Sequence, residues 1–275
     1  MNRRIIIVST ADSFFTEPFV RAFNKLGFEC MFFDYRQGAV YANEFFRKLI
    51  KRFKALRPLK LKQVARTNKK LLELATSYNP EFVIVLKGEN IGPATLNAIR
   101  SKNIKIANFY NDFINQWNVI EKIAPHYDRF FSPDHYVLKK LAEKGLSNCS
   151  YLPFAIENIG GFPFEDRNEV YPVTFLGSYN NKIYPNREPV LSKIKDLGLN
   201  IWGNPQWADS SLSEYYRGVA VGTDRFDIYR KSKIVVDINF DVLPCEAISM
   251  RPFEAGLSGA LLVSDNVRAD LFRVF

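Results

Sequence analysis

The residues best suited to chemistry lie late in the chain, in Ser249-Met250-Arg251-Pro252-Phe253-Glu254-Ala255-Gly256-Leu257-Ser258-Gly259, ahead of the apolar run Ala260–Ser264. The pattern predicts a helix of about three turns, capped by Ser249, with Pro252 near its start and Gly259 at its end, leading into a buried strand. Glu254 falls in the first turn, three positions after Arg251. The positive helix end stabilises a carboxylate there, and a carboxylate accepts two hydrogen bonds from a vicinal diol. Free amides at the same helix start suit a phosphate. A diol beside a pyrophosphate describes a nucleotide sugar. The plainer alternative is an ordinary helix–strand unit with a surface glutamate.

Alternating apolar runs and helical patterns must position these groups. Strands are expected at Ile5–Val8, Cys30–Phe33, Phe82–Leu86, Ile104–Asn108, Arg129–Phe131 and Ser150–Leu152. Helices are expected at Glu17–Lys25, Tyr41–Leu56, Leu61–Ser77, Ala94–Ser101 and Tyr136–Lys144. The rhythm breaks from Phe154 to Tyr171, a linker, and resumes with strand Val173–Leu176, helix Arg187–Asp196, strand Asn200–Trp202, helix Asp224–Lys231 and strand Ile234–Ile238. Strands separated by helices imply parallel sheets with right-handed crossovers. The fold class is therefore α/β: two Rossmann-like domains, 1–153 and 154–275, facing across a cleft.

Composition narrows the classes. With 275 residues, 24 Phe and 13 Tyr, a large core is expected and disorder is not. The apolar runs are too short to span a membrane, and the basic start precedes a strand rather than a signal peptide. Three scattered cysteines, Cys30, Cys149 and Cys245, form neither a disulfide framework nor a zinc pattern, which fits the cytoplasm. With only His126 and His135 present, a histidine metal site is not expected. The net charge of +9 is concentrated between Glu44 and Lys70, where eleven bases face one acid. There Phe45, Phe46, Leu49, Ile50, Phe53 and Leu56 share one helical face, with Arg47, Lys48, Lys51, Arg52 and Lys54 around it. That pattern suits an anionic membrane surface better than nucleic acid, or is simply a core-packed helix with a solvated basic side. No G-x-G-x-x-G follows Val8, no phosphate-loop signature or H-E-x-x-H occurs, and Gly256-Leu257-Ser258-Gly259 is not a hydrolase elbow.

Taken in order, several segments make the chain resemble glycosyltransferases of the GT-B fold, in particular the CgeB-like, spore-maturation-type group. In the first half they are Pro80-Glu81-Phe82-Val83-Ile84-Val85-Leu86-Lys87-Gly88, Phe109-Tyr110-Asn111-Asp112 and Tyr127-Asp128-Arg129-Phe130-Phe131-Ser132-Pro133-Asp134. The junction piece is Tyr151-Leu152-Pro153-Phe154-Ala155. Val173-Thr174-Phe175-Leu176-Gly177-Ser178, Leu199-Asn200-Ile201-Trp202-Gly203 and Arg251-x-Phe253-Glu254 follow.

The resemblance implies an acceptor-side first domain, a donor-side second domain, and transfer of a sugar from a nucleotide-diphosphate donor without a metal or other cofactor. It implies that Glu254 binds the ribose and that Glu246, at the family's spacing, lies near the sugar. It also implies a second domain shorter than usual, since the family's chains continue past the position of Phe275. Around that frame, Gly177 and Ser178 suit close approach of phosphate or form a plain turn. Arg187 suits the departing diphosphate or is a solvated helix-start arginine. Trp202 with Gly203 suits stacking on a base, or core packing. Arg251 reaches phosphate or pairs with Glu254. Asp112 is the first-domain acid that suits a base or an acceptor contact. The acceptor, whether glycan, lipid-linked or protein, is left open, as is the choice between retention and inversion. Location is expected to be cytoplasmic, with membrane-peripheral docking as an option. The rival functions are a non-catalytic nucleotide- or sugar-binding protein and a membrane- or polymer-docking protein built on the 45–56 helix.

Overall fold

A computed structural model describes residues 3–39, 57–157, 170–220, 222, 224–239, 244–265 and 268–274. The expected basic helix, with Arg47, Lys48, Lys51, Arg52 and Lys54, lies outside the described residues, as does most of the expected linker. The chain divides into two compact units: residues 1–133 with 137–152, and residues 134–136 with 153–275. Among the described residues no helix is long and apolar enough to cross a membrane.

The first unit is built on six parallel strands: β1 (Arg4–Ser9), β2 (Glu29–Asp34), β3 (Phe82–Leu86), β4 (Lys105–Phe109), β5 (Arg129–Ser132) and β6 (Cys149–Tyr151), ordered β2-β1-β3-β4-β5-β6. Ile5, Ile6, Ile7 and Val8 are all 0 % exposed, which is why β1 reads as an unbroken apolar run rather than an alternating one. Helices α1 (Thr16–Lys25), α2 (Arg57–Tyr78), α3 (Pro93–Arg100), α4 (Trp117–Ile123) and α5 (His135–Glu143) follow in chain order. Helix α4 was not foreseen. The chain moves outward from β1 to β2 and then recrosses to β3. The strand order therefore reverses between β1 and β3, which opens a crevice at their carboxyl ends.

The second unit carries β7 (Tyr171–Leu176), β8 (Leu199–Trp202), β9 (Tyr216–Gly218), β10 (Ser232–Asp237) and β11 (Leu261–Ser264), all parallel, in the order β11-β10-β7-β8-β9. Its helices are α6 (Arg187–Lys193), α7 (Asp224–Arg230), α8 (Arg251–Leu257) and α9 (Leu271–Val274). Val173, Phe175, Leu191, Leu199, Ile201 and Trp207 form its main core. Here the order reverses between β7 and β10, so ligand-binding groups are expected at Leu176–Ser178 and Asp237–Asn239. The two sheets are the Rossmann-like pair that the alternation predicted.

Candidate active site

The second crevice holds a buried charge cluster. Asp237 ends β10 and is 0 % exposed. Its Oδ1 accepts from Arg251 Nη1 and, at 3.2 Å, from Ser249 Oγ; its Oδ2 accepts from Asn239 Nδ2 at 2.9 Å and Ser264 Oγ at 3.2 Å. Asn239 also donates through Nδ2 to Asp265 Oδ1 at 2.9 Å and through its amide to Asp265 Oδ2 at 2.7 Å. One carboxylate is thus the hub for two strand ends, those of β10 and β11, and the start of α8.

Arg187 opens α6 and is 3 % exposed. Its guanidinium donates to backbone carbonyls: Nη1 to Ser178 at 2.6 Å, and Nε and Nη2 to Ile238 at 3.3 Å each. Its guanidinium carbon lies 3.4 Å from the centre of the Tyr184 ring and 5.4 Å from that of Phe175. Arg251 also approaches Phe175, at 5.8 Å, and donates to the same Ile238 carbonyl at 3.4 Å. Burial, and then the charge on Arg251, pulls the Arg187 pKa down to about 9. For Arg251, burial opposes the charge and Asp237 more than offsets it, raising its pKa. Among the described residues, Arg251 thus pairs with a full carboxylate, whereas the Arg187 donors meet backbone carbonyls, which bring only partial charge.

The glycines make room for this arrangement. A Cβ on Gly177 would lie 3.3 Å from Arg187 Nη1 and 2.8 Å from the Phe175 ring. A Cβ on Gly203 would overlap the Gly177 carbonyl, which also accepts from Trp207 Nε1 at 2.8 Å. Gly203 is therefore required for the β7 and β8 ends to approach. Ser178 contributes its carbonyl. Trp202 is 6 % exposed and sits edge-on to Tyr171 with ring centres 4.8 Å apart, so it packs in the unit's interior and offers no open stacking face.

The length and cap of the lead helix and the pairing of Arg251 are corrected. Helix α8 has seven residues, about two turns, and its cap residue is Met250, with no side-chain cap bond. Ser249 Oγ instead accepts from the Arg251 amide at 3.2 Å and bonds Asp237. Arg251 pairs with Asp237, not with Glu254. Glu254 is 2 % exposed, with Oε1 lying 3.1 Å from Arg225 Nη1 on α7. A desolvated charge takes whichever opposite charge the packed strands bring nearest, regardless of separation along the chain.

Burial raises the Glu254 pKa, and the charges of Arg225 and Arg251 offset only part of that. The folded value therefore lies above the unfolded one near 4.5, and the side chain's contribution to stability declines as pH rises from there through the folded pKa. The melting temperature of Glu254→Gln minus that of the wild type is expected to climb over this window and then level off. Thermal melts from pH 4 to 8 check this; a difference that falls with pH would contradict it.

Of the remaining candidates, Glu246 sits in the irregular stretch before α8, and its Oε2 lies 2.6 Å from Arg273 Nη1. Asp112 lies in the first unit, beyond the end of β4, with Oδ2 2.6 Å from Lys87 Nζ. The same ammonium is 3.3 Å from Glu89, which Arg36 Nη2 holds at 2.9 Å. For Glu89, burial works upward, but Lys87 and Arg36 outweigh it and lower its pKa. Lys87 itself has φ +61°, followed by Gly88 at +73°, where a Cβ would overlap Val85. Asp237, Arg225, Lys87 and Glu89 all escaped the sequence reading. Their one local signal is position at or just after the carboxyl end of a strand, which singles out Asp237 and Lys87 but not Arg225.

Residues 187–275 match the family model described as glycosyl transferase-like. No curated protein is significantly similar in sequence. Among solved structures, the chain is similar to the UDP-forming α,α-trehalose-phosphate synthase of Burkholderia xenovorans, with 10% identity, 100% of this chain and 86% of that one covered, and a TM-score of 0.61. The lipopolysaccharide outer core galactosyltransferase WaaB is similar at 14% identity, covering 95% and 80%, with a TM-score of 0.56. The UDP-GlcNAc 2-epimerase of Methanocaldococcus jannaschii, solved with UDP-GlcNAc and UDP, gives 12% identity, 98% and 86% coverage and 0.55. At these identities the likeness is one of fold; the family match lies within the second unit. The chain thus has the two-unit fold of these structures, and residues 187–275 are similar to the glycosyl transferase-like family.

Proposed function

We propose that the protein transfers a sugar from a nucleotide-diphosphate donor to an acceptor, with the donor held by the second unit and the acceptor received by the first. The observation that carries this is the pair of buried guanidinium groups, Arg187 and Arg251, at the carboxyl ends of β7 and β10, with the Arg187 donors given to backbone carbonyls. A diphosphate there pairs with Arg187, and the same groups stabilise the charge that grows on it as the sugar leaves. Glu254 takes the ribose in this reading, exchanging Arg225 for the diol. Gly177, Ser178 and Gly203 shape the floor of the site, with Trp202 supporting it from the interior, and Glu246 lies toward the sugar. In the first unit Asp112, with Lys87, Glu89 and Arg36, contacts the acceptor. The motif order quoted above favours the CgeB-like group of GT-B glycosyltransferases. The basic 45–56 stretch suits an acceptor presented at an anionic membrane surface.

A thermal-shift panel of uridine, guanosine, adenosine and thymidine diphosphates on the full chain tests the donor site. At least one is expected to raise the melting temperature of the wild type, and the shift is expected to be largely lost in Glu254→Ala. Equal shifts in both proteins would remove Glu254 from the site; no shift with any diphosphate would remove the donor site itself. A shift without sugar release from any nucleotide sugar would favour binding without transfer.

A further inference from the structure

We propose that the first unit carries a pocket for a phosphate ester, between the turn after β2 and one face of α2, and that this ester is part of the acceptor. The pocket stands on its own geometry; its role in the reaction rests on the transfer reading above. It measures about 220 Å³, with Asp34 and Gly38 on one wall and Gln63, Arg66, Thr67 and Lys70 on the other. Pockets for drug-sized ligands run from about 300 to 1,000 Å³, so this one has room for a phosphate and a short polyol but not for a nucleotide. It is therefore not a second seat for the donor.

Helix α2 carries six bases, Arg57, Lys60, Lys62, Arg66, Lys69 and Lys70, ahead of its single acid, Glu73. Its rotation about its own axis is fixed from the core side. Leu71 and Ala75 are wholly buried there. Buried Asn68 donates through Nδ2 to the Val64 and Asn90 carbonyls and accepts through Oδ1 from the Gly92 amide, at 2.8 Å each. Residues three, four and seven apart share a helical face, so Gln63, Arg66, Thr67 and Lys70 are presented together. Lys69, off that line, lies 3.7 Å from Glu73; among the described residues no carboxylate pairs with Arg66 or Lys70. A guanidinium fork and an ammonium beside amide and hydroxyl donors suit the oxygens of a phosphate.

The facing turn holds the other half of the recognition. Asp34 Oδ1 accepts from the Arg36 amide at 2.8 Å, and the carboxylate suits a hydroxyl on the carbon chain of the ester. Gly38 has φ +67°, and a Cβ there would meet no atom within 4 Å, so its backbone borders open space. Arg36, two residues past Asp34, ties this wall to the groups assigned to the acceptor: its Nη2 lies 2.9 Å from Glu89, which shares Lys87 with Asp112.

Amide nitrogen–proton correlation spectra of the full chain, titrated with inorganic phosphate, glycerol 3-phosphate and glycerol, test the pocket. Saturable shifts at the Gly38 and Thr67 amides are expected with both phosphates and none with glycerol. Arg66→Gln and Lys70→Gln are each expected to weaken glycerol 3-phosphate binding about 10-fold or more, the loss of a charge-assisted hydrogen bond, with Lys69→Gln unchanged. All three alter exposed charges and are expected to melt as the wild type does. No saturable shift, or equal losses in the three variants, overturns the pocket. Sedimentation with phosphatidylcholine vesicles, with and without phosphatidylglycerol, separates the sources of the ester. Binding to the anionic vesicles alone, lost in Arg66→Gln and Lys70→Gln, assigns it to a lipid headgroup; no binding, or binding that those variants keep, assigns it to a soluble acceptor. Nucleotide release from nucleoside-diphosphate sugars is expected to respond to glycerol 3-phosphate, and Arg66→Gln to need about 10-fold more of it at an unchanged limiting rate. No response, or an identical one, overturns the acceptor role and keeps the pocket. Phosphate binding without any nucleoside-diphosphate thermal shift takes down the transfer reading and the acceptor role with it; the reverse takes down the pocket and spares the transfer reading.

Discussion

Asp237→Asn is expected to be the most destabilising single change in the second unit. The substitution keeps the shape of the side chain but removes the full negative charge that Arg251 pairs with, and two serines and Asn239 also lose their best acceptor. Breaking a buried ion pair by deleting one partner costs about 3–5 kcal/mol, because the other charge stays desolvated. For a unit of this size that lowers the melting temperature by about 10–20 °C, read by calorimetry as a shift of one transition. The double variant Asp237→Asn/Arg251→Met removes both charges and is expected to recover much of the loss. A single-variant cost below about 1 kcal/mol would mean that the pair holds nothing together.

Arg187→Gln is expected to behave in the opposite way, with little effect on the fold and a large one on ligand. Arg187 has no carboxylate of its own, and burial beside Arg251 already disfavours its charge. Its removal relieves that repulsion while the Ser178 and Ile238 carbonyls lose a donor, two effects that largely cancel. A bound diphosphate, by contrast, loses a desolvated charge partner, which costs about 2–5 kcal/mol, or roughly 30-fold to several thousand-fold in affinity. Titration calorimetry with the diphosphate that gives the largest thermal shift measures this directly. Arg187→Lys keeps the charge without the planar fork and is expected to fall between. Unchanged affinity in Arg187→Gln would place the diphosphate elsewhere. Together the two variants separate what the crevice does for the fold from what it does for a ligand.

Much of the architecture was legible. Strand β3 runs over the residues expected, Phe82–Leu86, because a strand buried on both faces needs an apolar run and turn residues bound it. Helices α1, α3, α5 and α7 start and stop within a residue or so of their patterns. The misses have local causes. Helix α4 is two turns long and flanked by tighter 3-10 turns, too short for a helical period to emerge. Strand β9 is a three-residue edge strand with no apolar run at all. Helix α8 ends early because Gly256 and Gly259 weaken its second half, and Gly259 takes a left-handed turn at φ +72°.

The functional groups divide along the same line. Glu254, Arg251 and Arg187 were chosen from residue type and from their place at helix starts, and all three lie in the second unit. Their partners were not legible: Glu254 meets Arg225, Arg251 meets Asp237, and His135 meets Asp270, 135 residues away. Periodicity and turn chemistry are properties of neighbouring residues, so the order of strands and helices is written locally along the chain. Which charges face one another is settled only when parallel crossovers carry distant strand ends to a common edge, where lost hydration compels each buried charge to find an opposite one.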